Sequence, residues 1–144
     1  MRTIKFRGQK ISNGVWVYGS LVSSDALNTA IYYQVGNGSV KQMEWVYVNP
    51  DTVGQFTGLY DKNGEEIYEG DVVKFANPKY GGELFRIGYE DSHIGAFCLC
   101  EAGKEDTSRF VAIFGRFDYP FYCEVIGNIH DNPELLEGCE HESV

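Results

Sequence analysis

Thr3-Ile4-Lys5-Phe6-Arg7, then Ser12-Asn13-Gly14, then Val15-Trp16-Val17-Tyr18-Gly19-Ser20-Leu21-Val22: the reading of this run decides the fold. Its first part alternates apolar and basic residues, which sets Ile4 and Phe6 on one face of a half-buried strand and the cations on the other. Asn13-Gly14 is the dipeptide that tight hairpins prefer, because their central residues need positive φ. Its last part alternates again, with Val15 and Val17 opposite Trp16 and Tyr18. Two strands joined by such a turn pair antiparallel.

The same two-residue period recurs outward from this hairpin. Ala30–Val35 and Met43–Val48 read as a third and a fourth strand, the first ended by Gly36-Asn37-Gly38 and the second by Asn49-Pro50. Pro50 has no N–H for a ladder and biases Asn49 toward extended backbone. Asp51–Leu59 is ambiguous, although Gly54 and Gly58 oppose a helix. Asp61-Lys62-Asn63-Gly64 is a strong turn, with Gly64 suited to the left-handed position. Beyond it, Glu66–Tyr68, Gly70–Phe75, Leu84–Tyr89, Ala96–Cys100, Arg109–Phe114 and Cys123–Gly127 read as strands. Short strands with a turn every eight to twelve residues predict an all-β fold, a barrel or a sandwich. Asn132-Pro133-Glu134-Leu135-Leu136-Glu137 has a cap residue, a first-turn proline and an early acid, so it reads as a turn or two of helix that Gly138 stops.

With 144 residues, 43% of them hydrophobic, the chain has room for one domain or two small coupled barrels. Our expected division is an N-terminal β subdomain over 1–55, an SH3-like barrel over 56–130 and a short helical turn with an acidic tail over 131–144, or one integrated domain. Seventeen Gly against four Pro suits many tight turns. The longest apolar stretches, such as Phe110–Phe114, are far too short to span a membrane. Lys5 and Arg7 interrupt any apolar core of a signal peptide, so a cytoplasmic protein without a membrane partner is expected. Cys98, Cys100, Cys123 and Cys139 are then expected as free thiols.

The net charge of −9 is unevenly spread. Residues 1–50 hold five basic side chains against two acidic, a net of +3, and residues 51–144 hold seven against nineteen, a net of −12. An acidic majority opposes broad phosphate-driven nucleic-acid binding. It suits attraction between unlike regions of neighbouring copies, arranged head to tail.

Each candidate site has a plainer explanation beside it. Cys98 and Cys100 share a strand face, and with Cys123 and a histidine they offer zinc ligands, yet no C-x-x-C knuckle is present. His93, in the turn before Ala96–Cys100, is a conceivable base for one of those thiols, but the spacing matches no nucleophile motif. Asp61-Lys62-Asn63-Gly64 is rich in oxygen ligands, but a calcium loop wants its glycine at position six rather than four. The aromatics are the most suggestive group: Trp16/Tyr18 and Trp45/Tyr47 are each two apart on a strand, with Tyr32 and Tyr33 between them. Such ladders stack bases, or form a core and a subunit interface. Only Lys41 stands near them, so core plus interface is the better reading.

Four segments together resemble the YopX family of bacteriophage and prophage proteins. They are Ile4-Lys5-Phe6-Arg7-Gly8 with Gly14–Gly19, Thr52–Leu59 with Asp61–Gly64, Ile67–Val73, and Val125–Ile129 with Asp131–Leu136. The family-like positions are Gly54, Gly58, Asp61, Gly64, Tyr68, Gly70, Asp71, Gly127, Asn128, Asp131, Asn132 and Pro133. The resemblance implies a β-rich, self-associating protein of a bacterial host's cytoplasm, and it implies no activity and no catalytic residue. Glu69-Gly70-Asp71-Val72-Val73 also looks like the turn that opens an SH3-like barrel, in which Asp71 bonds nearby backbone N–H groups. The resulting expectation is a non-enzymatic binding module and homo-oligomer, without metal or cofactor. The alternatives are a small nucleic-acid binder using Lys5, Arg7 and the aromatics, and a small hydrolase or transferase using Asp71, His93 or a cysteine.

Overall fold

A computed structural model of the chain describes residues 1–25, 28–36, 38–75, 84–102, 112–115 and 122–136. The fold is all-β, with every strand pair antiparallel. The chain divides into two compact units, Met1–Phe56 and Thr57–Val144.

The first unit contains β1 (Phe6–Gln9), β2 (Trp16–Ser23), β3 (Thr29–Val35), β4 (Gln42–Tyr47), a 3-10 turn over Pro50–Thr52, and the start of β5 (Gly54–Tyr60). Its strands lie in the order β4-β3-β2-β1-β5. The β1–β2 hairpin turns at Gly14, whose φ is +73°, and Asn13 Oδ1 accepts the Val15 N–H. Lys10 bridges Val48, Ile11 N donates to Tyr47 O and Asn49 N donates to Gln9 O. The end of β1 therefore pairs with the end of β4, and the sheet closes on itself. Val17, Ile31 and Val48 fill the inside, helped by Leu21, Tyr33, Val46 and Val53. Gly8 sits where a Cβ would stand 3.0 Å from Val48 Cγ2, so any side chain there would press on Val48 and make the closure give by a few tenths of an ångström.

The strand near the amino terminus begins later than the alternation suggests. Thr3-Ile4-Lys5 precedes β1, and Ile4 is exposed. Lys5 still offers its carbonyl to Phe56 N, and its ammonium lies 5.2 Å from the centre of the Phe56 ring. The ambiguous segment 51–59 resolves into the 3-10 turn and β5. Asn49 caps the turn by accepting the Asp51 N–H, and Gly54 and Gln55 pair with Arg7 and Phe6.

From Thr57 on, β5 belongs to the second unit, where β6 (Glu66–Tyr68) is its neighbour. The remaining strands are β7 (Asp71–Phe75), β8 (Leu84–Glu90), β9 (Ala96–Glu101), β10 (Ala112–Ile113) and β11 (Cys123–Asn128), ordered β10-β9-β8-β7-β11. The larger core lies here: Ile67, Val73, Phe75, Phe85, Ile87, Leu99, Phe114 and Cys123 are buried together. Of the strand expected at Arg109–Phe114, residues 109–111 lie outside the described residues, as do Glu137, Gly138 and Cys139. Residues 134–136 are helical. The Asn132 side chain does not cap them. Its Oδ1 turns back to accept the Asn128 N–H, and a Cβ on Gly127 would collide with it. No helix among the described residues is long and apolar enough to cross a membrane.

Candidate functional site

The closed sheet of the first unit decides which residues its strands present. Register fixes the faces, because neighbours in a ladder share one. Arg7 pairs with Tyr18, Ser20 with Tyr32, Tyr32 with Trp45, and Ala30 with Tyr47. Trp16, Tyr18, Tyr32, Trp45 and Tyr47 therefore all lie on the outer face, together with Val22 and Met43. Tyr33 packs partly buried against the inside, and its hydroxyl donates to the exposed Glu44 Oε2 at 3.5 Å. Val17, Ile31 and Val48 take the core positions, with Tyr33 packed against them, and the other five rings stay outside, since a closed sheet this small fits mainly branched aliphatic side chains within.

The outer face is exposed where β2, β3 and β4 meet. Tyr18 is 47% exposed, Trp45 51% and Met43 60%, with Val22, Tyr32 and Tyr47 also open. Their rings are mutually ordered: Tyr32 stacks on Trp45 at 6.2 Å and 24°, and Trp45 meets Tyr47 edge-on at 5.0 Å. Offset and edge-to-face pairs of this kind hold rings in fixed orientations. Toward β1 the face is covered, since Arg7 is buried and its guanidinium lies 4.7 Å from the centre of the Trp16 ring. The exposed part of the face is thus mostly apolar and nearly uncharged, with the neutral Ser20 and Gln34 between the rings and Lys41 at its edge.

The second unit uses its acidic residues differently. Asp61 Oδ1 accepts from Asn63 N and Glu65 N, and its Oδ2 accepts from Val125 N, all within 2.8–3.0 Å. Asp71 Oδ2 accepts the Tyr68 N–H at 2.7 Å. Asn128 Oδ1 accepts from His130 N and Asp131 N, and Asn128 Nδ2 donates to Asp131 Oδ2. Gly64 and Gly70 take φ of +81° and +92° in turns, and Gly58 takes +84° within β5, left-handed backbone that glycine adopts without strain. Tyr68 is buried, and its hydroxyl donates to Glu66 Oε1. The family-like residues of this unit thus hold turns and strand ends. Pro133 accepts the Leu136 N–H through its carbonyl in the terminal helical turn.

The thiols and His93 do not converge. Cys98 and Cys100 are buried with Sγ atoms 3.5 Å apart, on the face opposite Leu99. Burial, and then the hydrogen bond with Cys100, pushes the Cys98 pKa up to about 12. Burial, and then the carboxylates of Asp61 and Asp71, takes Cys123 to about 12 as well. A thiol at that pKa is a poor nucleophile at neutral pH. The His93 side chain is turned out to solvent, with Nδ1 3.7 Å from Glu90 Oε1. Among the described residues no three His, Cys, Asp or Glu side chains gather in metal-binding geometry.

Sequence patterning finds the aromatics but not their direction, because Val and Trp both read as apolar. It misses Glu90 altogether. This buried acid accepts from the backbone N–H groups of Ser92, His93 and Ile94 and from Ser92 Oγ. The local signal that marks it is an acid at a strand end two residues ahead of a serine, Glu90-Asp91-Ser92, a spacing that lets a carboxylate accept from the turn's N–H groups.

The chain is similar to the crystal structure of protein EF1440 from Enterococcus faecalis, with 25% identity, a TM-score of 0.58, and 94% of this chain and 99% of that one covered. Among curated proteins none matches the chain. The model of the family described as YopX protein matches residues 5–137, a span that takes in both units and every turn-holding residue just described. On that span, the chain belongs to the YopX family.

Proposed function

We propose that the protein works by binding rather than catalysis, as a self-associating accessory factor of phage or prophage in the bacterial cytoplasm. Its docking surface is the outer aromatic face of the first unit. The observation that carries this reading is the contiguous open set Tyr18, Val22, Tyr32, Met43, Trp45 and Tyr47 on one sheet face. Large open apolar patches mark interaction surfaces, and Trp, Tyr and Met are the residue types that interfaces concentrate. The rings are already held by their own contacts, so ordering them on association costs little. The buried acids support the same reading from the other side: Asp61, Asp71 and Glu90 spend their oxygens on backbone N–H groups.

Light scattering tests it. The expected particle mass is a multiple of the 16.2 kDa chain, falling when Tyr32 and Trp45 are both changed to Ala. A particle of 16.2 kDa at every concentration overturns the reading. Steep weakening of oligonucleotide binding by salt, and its loss with Lys5→Ala or Arg7→Ala, would point to the nucleic-acid alternative.

A further inference from the structure

The aromatic face ends at a sheet edge, and the hydrogen-bonding direction of that edge is fixed by the ladder. Val48 N donates to Thr29 O, so in the β3–β4 ladder the bonded partners on β4 are Val48, Val46, Glu44 and Gln42. The N–H and C=O groups of Lys41, Met43, Trp45 and Tyr47 therefore point the other way. At Tyr47 that side is occupied, because its carbonyl accepts the Ile11 N–H. At Met43 and Trp45 no described residue pairs with it. This stretch has no proline and no bulge, the features that usually blunt an edge.

We propose that a second copy of this chain adds to the β4 edge, antiparallel, with Met43 opposite the second copy's Met43. The inference rests on the self-associating reading above and names the contact. Only odd-numbered residues offer outward groups here, so an antiparallel partner of the same sequence must centre on a residue. Centring on Glu44 sets two carboxylates directly opposite, which opposes pairing. Centring on Trp45 sets Met43 against Tyr47, whose carbonyl is already used. Centring on Gln42 draws the turn at residues 38–39 into the ladder. Centring on Met43 avoids all three. It places Lys41 across from Trp45 on the aromatic face, twice by symmetry, where an ammonium over an indole is attractive. On the other face it sets the Gln42 amide across from the Glu44 carboxylate, again twice. The aromatic faces of the two copies then become continuous. Such a contact is two-fold and closes at two copies, unlike the head-to-tail ring that the charge asymmetry alone suggests.

Crosslinking and light scattering together test this. In a Cys139→Ser background, Met43→Cys is expected to give a disulfide-linked dimer on mild oxidation. Facing residues in a bonded antiparallel pair have Cα atoms about 5.5 Å apart, within disulfide reach. Trp45→Cys is expected to give none, since its counterpart lies four residues away along the strand. Met43→Pro removes an N–H that faces only outward, so it is expected to keep the β-sheet circular dichroism and lose the dimer. Linking through Trp45→Cys, or through neither cysteine, overturns the pairing. A multimer that Met43→Pro leaves intact overturns the edge contact while the aromatic-face reading stands. An unmodified chain that is monomeric throughout overturns both.

Discussion

Asp61 joins two stretches of chain with one carboxylate, its own turn and β11. Its two oxygens take the N–H groups of Asn63 and Glu65 in its own turn and of Val125, 64 residues on, at the β11 strand. The turn was legible in Asp61-Lys62-Asn63-Gly64. The long-range bond was not, because no local pattern records which distant N–H comes close. Asp61→Asn keeps an acceptor for the turn but presents an amide NH2 to Val125 N–H. We expect it to cost about 1–2 kcal/mol, and Asp61→Ala about 2–4 kcal/mol, since buried donors are then left unpaired. Urea unfolding of the three proteins checks the order, and an unchanged midpoint for Asp61→Ala would show the bonds to be dispensable. Glu90 makes a pH prediction. The Ser92 hydroxyl, then the Ile94 N–H, with those of His93 and Ser92, hold its pKa at about 2, below the ordinary 4.5, against the opposing effect of burial. A carboxyl whose pKa falls on folding stabilises the native state above its unfolded value, and that stability is lost as pH drops through the folded one. The thermal midpoint is therefore expected to fall between about pH 4.5 and pH 2, and to fall less in Glu90→Gln. Parallel curves for the two proteins would remove Glu90 as the cause.

Strands in the first unit show what alternation can and cannot say. Period two marks β2, β3 and β4 because successive side chains must point to opposite faces. It does not say which face is inside when both are apolar, as with Val15-Trp16-Val17-Tyr18. Closure of the sheet through Lys10 and Val48 settles that by volume: Val17, Ile31 and Val48 fit within, and Trp16, Tyr18, Trp45 and Tyr47 stay outside. The start of β5 hides for a different reason. Gly54 and Gly58 carry no side chains to alternate, so the strand becomes legible only through its pairing with Arg7 and Phe6. Inside and outside make a paired prediction. Ile31 is wholly buried, so Ile31→Ala leaves a cavity and is expected to cost about 2–4 kcal/mol. Tyr18 is 47% exposed, and Tyr18→Ala is expected to cost less than about 1 kcal/mol in the same denaturant titration. Equal losses would mean that the outer face is covered within one chain.

Across the whole molecule the two units differ in how much they bury. In the first, among the described residues, three buried side chains form the core, whereas eight form it in the second, with Phe75 and Phe85 meeting edge-on at 5.5 Å. Burial of apolar area is the main favourable contribution to stability, at roughly 25 cal/mol per Å². Proteins open locally where that contribution is smallest. The first unit should therefore open more often than the second, even though its sheet is closed by backbone bonds from Ile11 and Asn49. Hydrogen exchange read by mass spectrometry is expected to show peptides over β2 to β4 exchanging before those over β7 to β9. Self-association would slow the β4 amides selectively, so the comparison is made at low protein concentration and repeated at high. Slower exchange in β2 and β3 than in β7 and β8 at both concentrations would mean that closure of the first sheet, not core size, sets the order of stability.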